Sequence, residues 1–239
     1  MKKILFLIFF LVSASMAQSQ VLITLLLGDK LNSDGLEFGL EGGMNWTKIS
    51  GLETADYARK WNLGFYFDIR IKNQWSFYTG VLVKSNFGVD NLSDADLDTL
   101  GAKKYFNNNG DRIEGNYSEK INSFMVPALI RYKFKNHIYV EAGSQFTLMY
   151  KSWVEFDADI EGSDAILKEY NKDKINKIDA GIMVGTGYKL FKGTGWTIGA
   201  KYYYGFVNVF KGMPGTKNSS FYIKLNIPIG AGKKPEKKN

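Results

Sequence analysis

The sequence predicts an all-β protein: an eight-stranded antiparallel transmembrane up-and-down β-barrel. Three observations predict it. Large apolar residues alternate with polar residues or glycine over long stretches, which puts one set of side chains on each face of a strand. The connections between these stretches alternate between very short and long. Beyond the N-terminal segment, no run approaches the 18 or so apolar residues of a spanning helix, so a membrane crossing has to be made by strands.

The first strand, 36–48, sets Leu36, Phe38 and Leu40 against Glu37, Gly39 and Glu41, and ends near Trp46. In the second, 60–71, the odd positions Trp61, Leu63, Phe65, Phe67, Ile69 and Ile71 are all large and apolar, and Asp68 and Arg70 lie opposite. The third, 75–87, opens on Trp75 and places Val81 against Gly80 and Lys84. The fourth, 120–134, opposes Val126, Ile130, Tyr132 and Phe134 to Arg131 and Lys133. The fifth, 137–153, has Val140 and Tyr150 on one face and Glu141, Gly143 and Lys151 on the other. The sixth, 176–190, opposes Ile182, Val184 and Tyr188 to Asp179, three glycines and Lys189. The seventh, 196–207, sets Trp196 and Phe206 against Gly199 and Lys201, and the eighth, 218–229, sets Ile223 and Leu225 against Lys224. Strands this long exceed the five or six residues usual in globular proteins and suit a tilted bilayer crossing.

The short connections are Lys72–Gln74, Lys135–Asn136 and 191–195, and the long ones are 49–59, 88–119, 154–175 and 208–217. Tight turns at one end and long loops at the other are the layout of an outer-membrane barrel, with turns in the periplasm and loops outside. An even strand number then puts both termini in the periplasm.

Composition narrows the chemistry. The chain has 239 residues, no cysteine and a single histidine, His137. That removes disulfides, thiol catalysis and cysteine-based metal sites, and leaves almost nothing for a His-dependent triad or metalloenzyme. His137 follows a tight turn at the predicted periplasmic rim, so the expectation is no enzyme and no cofactor. Lys2 and Lys3, the apolar run Ile4–Val12 and the small residues Ser13–Ala17 read as a secretory signal peptide over 1–17. The predicted organisation continues with an N-terminal periplasmic segment 18–35, the barrel 36–229 and a basic periplasmic tail 230–239.

The apolar face must meet lipid. Trp46, Trp61, Trp75, Tyr132, Tyr150, Tyr188 and Trp196 lie near strand ends, where aromatic girdles mark the membrane–water boundaries. The charged face must then point inward, because a Lys or Arg at the bilayer midplane costs about 2–4 kcal/mol. Opposite charges confined in a narrow lumen should pair, and the expected mid-barrel cluster is Glu41, Asp68, Arg131, Glu141, Asp179 and Lys201. It is read as a structural network filling the lumen; a polar pocket or ion path is the alternative.

Other motifs carry less. Gly185-Thr186-Gly187 lies within an alternating strand and reads as a site of curvature, not a phosphate loop. Asp90, Asp94, Asp96 and Asp98 offer oxygen ligands without the spacing of a calcium loop, and read as a solvated acidic loop. Ser163–Tyr170 suits one or two helical turns as well as an irregular loop. Val21–Leu27 is too short to cross a bilayer and reads as a piece at the periplasmic mouth.

The stretches Leu26–Ser33, Leu36–Trp46 and Val126–Phe134 resemble the PorT family of outer-membrane β-barrel proteins of Bacteroidetes-type bacteria. The resemblance implies an eight-stranded barrel without catalytic residues, and it implies a link to protein secretion. The expected function is that of a non-enzymatic integral outer-membrane barrel with a structural or interaction role through its extracellular loops; the alternative is a narrow channel or small-ligand binder using the charged lumen. The expected partners are the lipid bilayer of the outer membrane, the outer-membrane assembly machinery and other envelope or secretion proteins, with no nucleic acid.

Overall fold

The computed structural model describes residues 35–229 apart from 54–55, 161 and 194. The predicted signal peptide, almost all of the segment 18–35 with Val21–Leu27, and the tail 230–239 lie outside the described residues.

Among the described residues, nine strands form one antiparallel sheet: β1 Leu36–Ile49, β2 Ala58–Lys72, β3 Trp75–Val89, β4 Asn116–Lys133, β5 Ile138–Ile160, β6 Ser163–Tyr170, β7 Ile178–Lys189, β8 Thr197–Asn208 and β9 Lys217–Pro228. β1 pairs with both β2 and β9, and β4 pairs with β5, so eight strands close into a ring with β6 attached outside the circuit. The predicted barrel is present. Closure leaves no open edge on the ring strands, which a sheet in hydrocarbon requires.

β6 corrects the reading of Ser163–Tyr170 as helical turns or an irregular loop. β5 runs on to Ile160, well past its predicted end, and its upper part pairs with β6 from Trp153–Tyr170 to Ile160–Ser163. The ordered neighbour offers this segment a hairpin partner, and pairing overrides its weak helical preference. Gly162, in a positive-φ conformation (78°), helps turn the chain between the two strands.

Register shifts occur at Arg70–Lys72 and Tyr204–Asn208 near strand ends, and two bulges within strands change which lysines face the lumen. In β3, Val83 and Lys84 both face outward between the inward residues Leu82 and Ser85. In β5, Tyr150 is the extra residue between Met149 and Lys151. Each inserted residue reverses the parity beyond it, so Lys84 and Lys151, expected in the lumen, are exposed. The β3–β4 ladder is also interrupted beside Pro127, which has no N–H to contribute.

One short helix, α1 Asp94–Leu100, stands in the long loop between β3 and β4. Ser93 caps it in a capping box with Asp96, and Gly101 ends it in the left-handed conformation. Leu97 and Leu100 turn into the core, which occupies the long-loop half of the lumen.

Candidate functional site

Toward the short-turn end, the lumen is crossed by buried ion pairs that Tyr78 links into one network. Arg131 on β4 donates from Nε and Nη2 to Glu141 Oε2 on β5, at 2.9 and 2.6 Å, and from Nη1 to Asp68 Oδ2 on β2, at 2.7 Å. Its guanidinium also lies over the rings of Tyr78 and Tyr139, 4.0 and 4.1 Å from their centroids. Lys224 on β9 reaches the other oxygen of Glu141 at 2.7 Å and sits 4.3 Å from the Tyr78 ring. Across the lumen, Lys201 on β8 pairs with Glu41 on β1, whose second oxygen accepts from the Tyr78 hydroxyl. Asn226 in turn donates to that hydroxyl at 2.6 Å. All of these side chains are buried; Arg131 is 3% exposed.

The network continues to the mouth. Lys133 holds the second oxygen of Asp68 at 2.8 Å, and Lys189 pairs with Glu37, which also accepts from Tyr66. A cavity of about 190 Å³ lies here, lined by Arg70, Lys133, His137 and Lys189 among others, and Arg131 forms part of its wall.

Register and glycine placement explain how such large groups fit. Arg131 and Glu141 are direct cross-strand partners. Glu141 faces Gly185 on β7, and Gly185 faces Lys201 on β8. A Cβ on Gly185 would lie 2.9 Å from Glu141 Oε1 and 3.0 Å from Lys201 Cγ, so the bare backbone makes room for both charges.

Of the six residues expected in the cluster, the structure brings together Glu41, Asp68, Arg131, Glu141 and Lys201. Asp179 is buried but stands apart. It pairs in register with Thr147, six residues up β5 from Glu141, which is about 20 Å along the strand. It accepts from Asn218 Nδ2 at 3.0 Å instead of meeting a cation of the network. Alternation identifies a face but not a height, so Asp179 shared the right face at the wrong level. Lys224 takes its place. Its inward parity was legible, as was that of Tyr78, which shares the face of Gly80; the cation–π role of Tyr78 and Tyr139 was not.

Above the network the lumen is packed with apolar and aromatic side chains, among which Asn45, Gln145, Thr147, Asp179 and Asn218 are also buried. Leu82, Phe87, Ile121, Met125, Met149, Met183, Tyr203 and Tyr222 are all essentially inaccessible, and Phe87 stacks on Tyr203 at 5.8 Å. α1 covers this plug, and Lys174, from the 3-10 turn Lys172–Lys174, donates to the carbonyls of Leu100 (2.7 Å) and Gly101 (3.2 Å) at the C-terminus of the helix. Beneath it Asn171 donates to Glu119 and accepts from Ser152. The four loop aspartates are engaged separately: Asp90 with Lys60, Asp94 with Arg112, Asp98 with Lys104, and Asp96 with the backbone of Ser93 and Glu53. Among the described residues no three acids or histidines gather as a metal site.

The outer wall is apolar, with Leu63, Val81, Val126, Ile130, Val140, Ile182, Val184 and Ile223 all exposed. Trp75, Tyr132, Tyr188 and Trp196 sit at the short-turn end, and Trp46, Trp61 and Tyr150 at the other; Trp61 is 65% exposed. Tyr132 is level with Val140, ten residues below Tyr150 on β5. That separation is about 34 Å along the strand. At a tilt of about 40° it becomes about 26 Å along the barrel axis, the height of the apolar band of such proteins.

A closed ring of eight strands, apolar outside and salt-bridged within, is the class of transmembrane β-barrels. Residues 16–211 match the family model described as outer membrane protein beta-barrel domain, and the chain belongs to that family. It is an integral protein of the outer membrane. No curated protein matches the chain. Among solved structures it is similar to Ail, the attachment invasion locus protein of Yersinia pestis, with 9% identity and TM-score 0.44, covering 82% of this chain and 99% of that one. It is also similar to Neisserial surface protein A, with 11% identity, TM-score 0.41 and coverage of 81% and 99%. OprG from Pseudomonas aeruginosa is a third, at 12% identity and TM-score 0.36, with 81% and 93% covered.

Proposed function

We propose that the protein is a closed, non-enzymatic barrel that works by contact, presenting its lidded long-loop end outside the cell. The observation that carries this reading is the double closure of the lumen. Ion pairs span it near one end, and a closely packed plug of apolar side chains with buried polar ones among them fills the other under α1. An ion would have to break buried pairs and displace packed side chains to pass. The long-loop end holds the only helix longer than one turn among the described residues and the β5–β6 hairpin, which gives it a folded surface to offer. The two aromatic groups are read as girdles at the membrane boundaries, and the turns Lys72–Gln74 and Lys135–Asn136 as periplasmic, with both chain ends on that side. The bilayer is the obligate partner, and the assembly machinery a transient one. A role in secretion rests on the PorT resemblance alone. No cofactor, catalytic group or nucleic-acid surface enters this reading.

Planar bilayer recording tests it. Wild-type barrels should give no sustained current, and should turn over neither phospholipid nor lipid A. A large, steady current through the unmodified protein would reject the closed lumen and move the assignment to a narrow channel.

A further inference from the structure

On the outward face of β4, β5 and β6, just above the lipid-facing pair Phe124 and Tyr150 (ring centroids 4.8 Å apart), basic and aromatic side chains interleave. Lys120 is level with Trp153, Trp153 with Tyr170, and Lys168 with Glu155. Lys151 Nζ lies 5.3 Å from the Trp153 ring and 5.2 Å from the Tyr170 ring, and Lys168 Nζ lies 5.7 Å from Trp153. Glu155 is the single carboxylate among them, paired with Lys120 and, at 3.6 Å, with Lys168. Lys151 makes no ion pair among the described residues, so the cluster keeps a net positive charge.

We propose that this patch binds the phosphate groups of a phosphorylated glycolipid in the outer leaflet. Three observations point there. Trp153 is three residues above Tyr150, about 10 Å along the strand and about 8 Å vertically, which is the depth of a headgroup layer. The charges are stratified: lysines lie at this level, while the acids Asp157, Asp159 and Asp164 stand higher, toward the hairpin tip. Trp153 and Tyr170 give the lysine stems an apolar bed from which the ammonium groups reach the interface. The bulge at Tyr150 creates the site, because it turns Lys151 out of the lumen onto this face. The inference rests on the orientation proposed above, with the long loops outside.

The test is native mass spectrometry of the full chain in detergent, with three probes: bis-phosphorylated lipid A, the same lipid dephosphorylated, and phosphatidylglycerol. The wild type should retain bis-phosphorylated lipid A in preference to the other two. Lys120→Gln/Lys151→Gln/Lys168→Gln should bind it at least about tenfold more weakly. Lys72→Gln/Lys103→Gln/Lys135→Gln, which removes the same charge from exposed positions elsewhere, should bind as the wild type does. Because the triple variant also unpairs Glu155, Lys151→Gln alone serves as the variant that leaves every ion pair intact; it should lose about fivefold. Equal retention by the wild type and Lys151→Gln, or equal binding of the dephosphorylated lipid, overturns the phosphate site. Equal binding of phosphatidylglycerol overturns the glycolipid assignment. Orientation is read separately: the chain has no cysteine, so Lys151→Cys on intact cells should react with an impermeant maleimide. Labelling only after the outer membrane is opened would overturn the orientation while leaving the in vitro binding result to stand on its own.

Discussion

Replacing Arg131 by alanine removes the residue that joins two halves of the lumen. Three hydrogen bonds between 2.6 and 2.9 Å disappear, together with a guanidinium held between two tyrosine rings. Breaking a buried pair by deleting one partner costs about 3–5 kcal/mol, because the remaining charge stays desolvated. Here each stranded carboxylate keeps one lysine: Asp68 keeps Lys133, and Glu141 keeps Lys224. The lower end, about 3 kcal/mol, is therefore expected, and for a domain of this size that corresponds to a fall of about 6–12 °C in the unfolding midpoint. The assay is the gel shift of a folded barrel, which migrates faster unheated than boiled, followed over a temperature series at one heating rate. Arg131→Lys should fall less, since it keeps a charge and loses the forked geometry. Adding Asp68→Asn to Arg131→Ala should recover part of the loss, because one buried charge goes with it. A midpoint unchanged in Arg131→Ala would refute the reasoning, as the guanidinium would then be contributing nothing that water or the lysines cannot supply.

Three further outcomes are expected. Gly185→Val should sharply reduce the heat-modifiable fraction on refolding, since even its Cβ would crowd Glu141, Lys201 and the Ala200 carbonyl at 2.9–3.0 Å; full recovery would mean the strands have room to part. Lys174→Met should release the C-terminus of α1 at a local cost of about 1 kcal/mol, seen as faster proteolysis in the 90–115 loop with the barrel still resistant, and an unchanged cleavage rate would show that Lys174 does not latch the lid. The hydrogen bond and charge of the Arg112 guanidinium hold the Asp94 carboxyl below its ordinary value. Its folded pKa is depressed, so the contribution is present above the ordinary aspartate value of about 3.9 and is lost as pH falls through the folded pKa. The Asp94 carboxyl signal in NMR should titrate below that value and return to it in Arg112→Ala, and a wild-type midpoint at or above it would show the pairing to be absent in solution.

Much of the architecture was legible because a barrel strand makes a binary choice at each residue, lipid or lumen. Runs such as Trp61 to Ile71 record that choice directly, and the contrast between Lys135–Asn136 and 88–119 marks the two ends. Lipid tolerates no buried charge, so Arg131, Lys201 and Glu141 could be assigned to the lumen from parity alone. What parity cannot carry is height and count. Whether Asp179 meets Arg131 depends on strand register, which is set by hydrogen bonds between segments distant in the chain, and β7 places Asp179 about 20 Å from that level. Whether Lys84 and Lys151 face in or out depends on single inserted residues at Val83–Lys84 and Tyr150, and a bulge has no signature within the strand that carries it; it exists only against a partner. β6 became a strand because β5 extended beyond the barrel and offered it an edge. The sequence by itself determined the closed ring, its two faces and its two ends, because burial in lipid or lumen acts on each residue separately. Only the tertiary structure decided which charges touch, which lysines turn outward and what caps the lumen, because those depend on pairings between strands that no single stretch of chain contains.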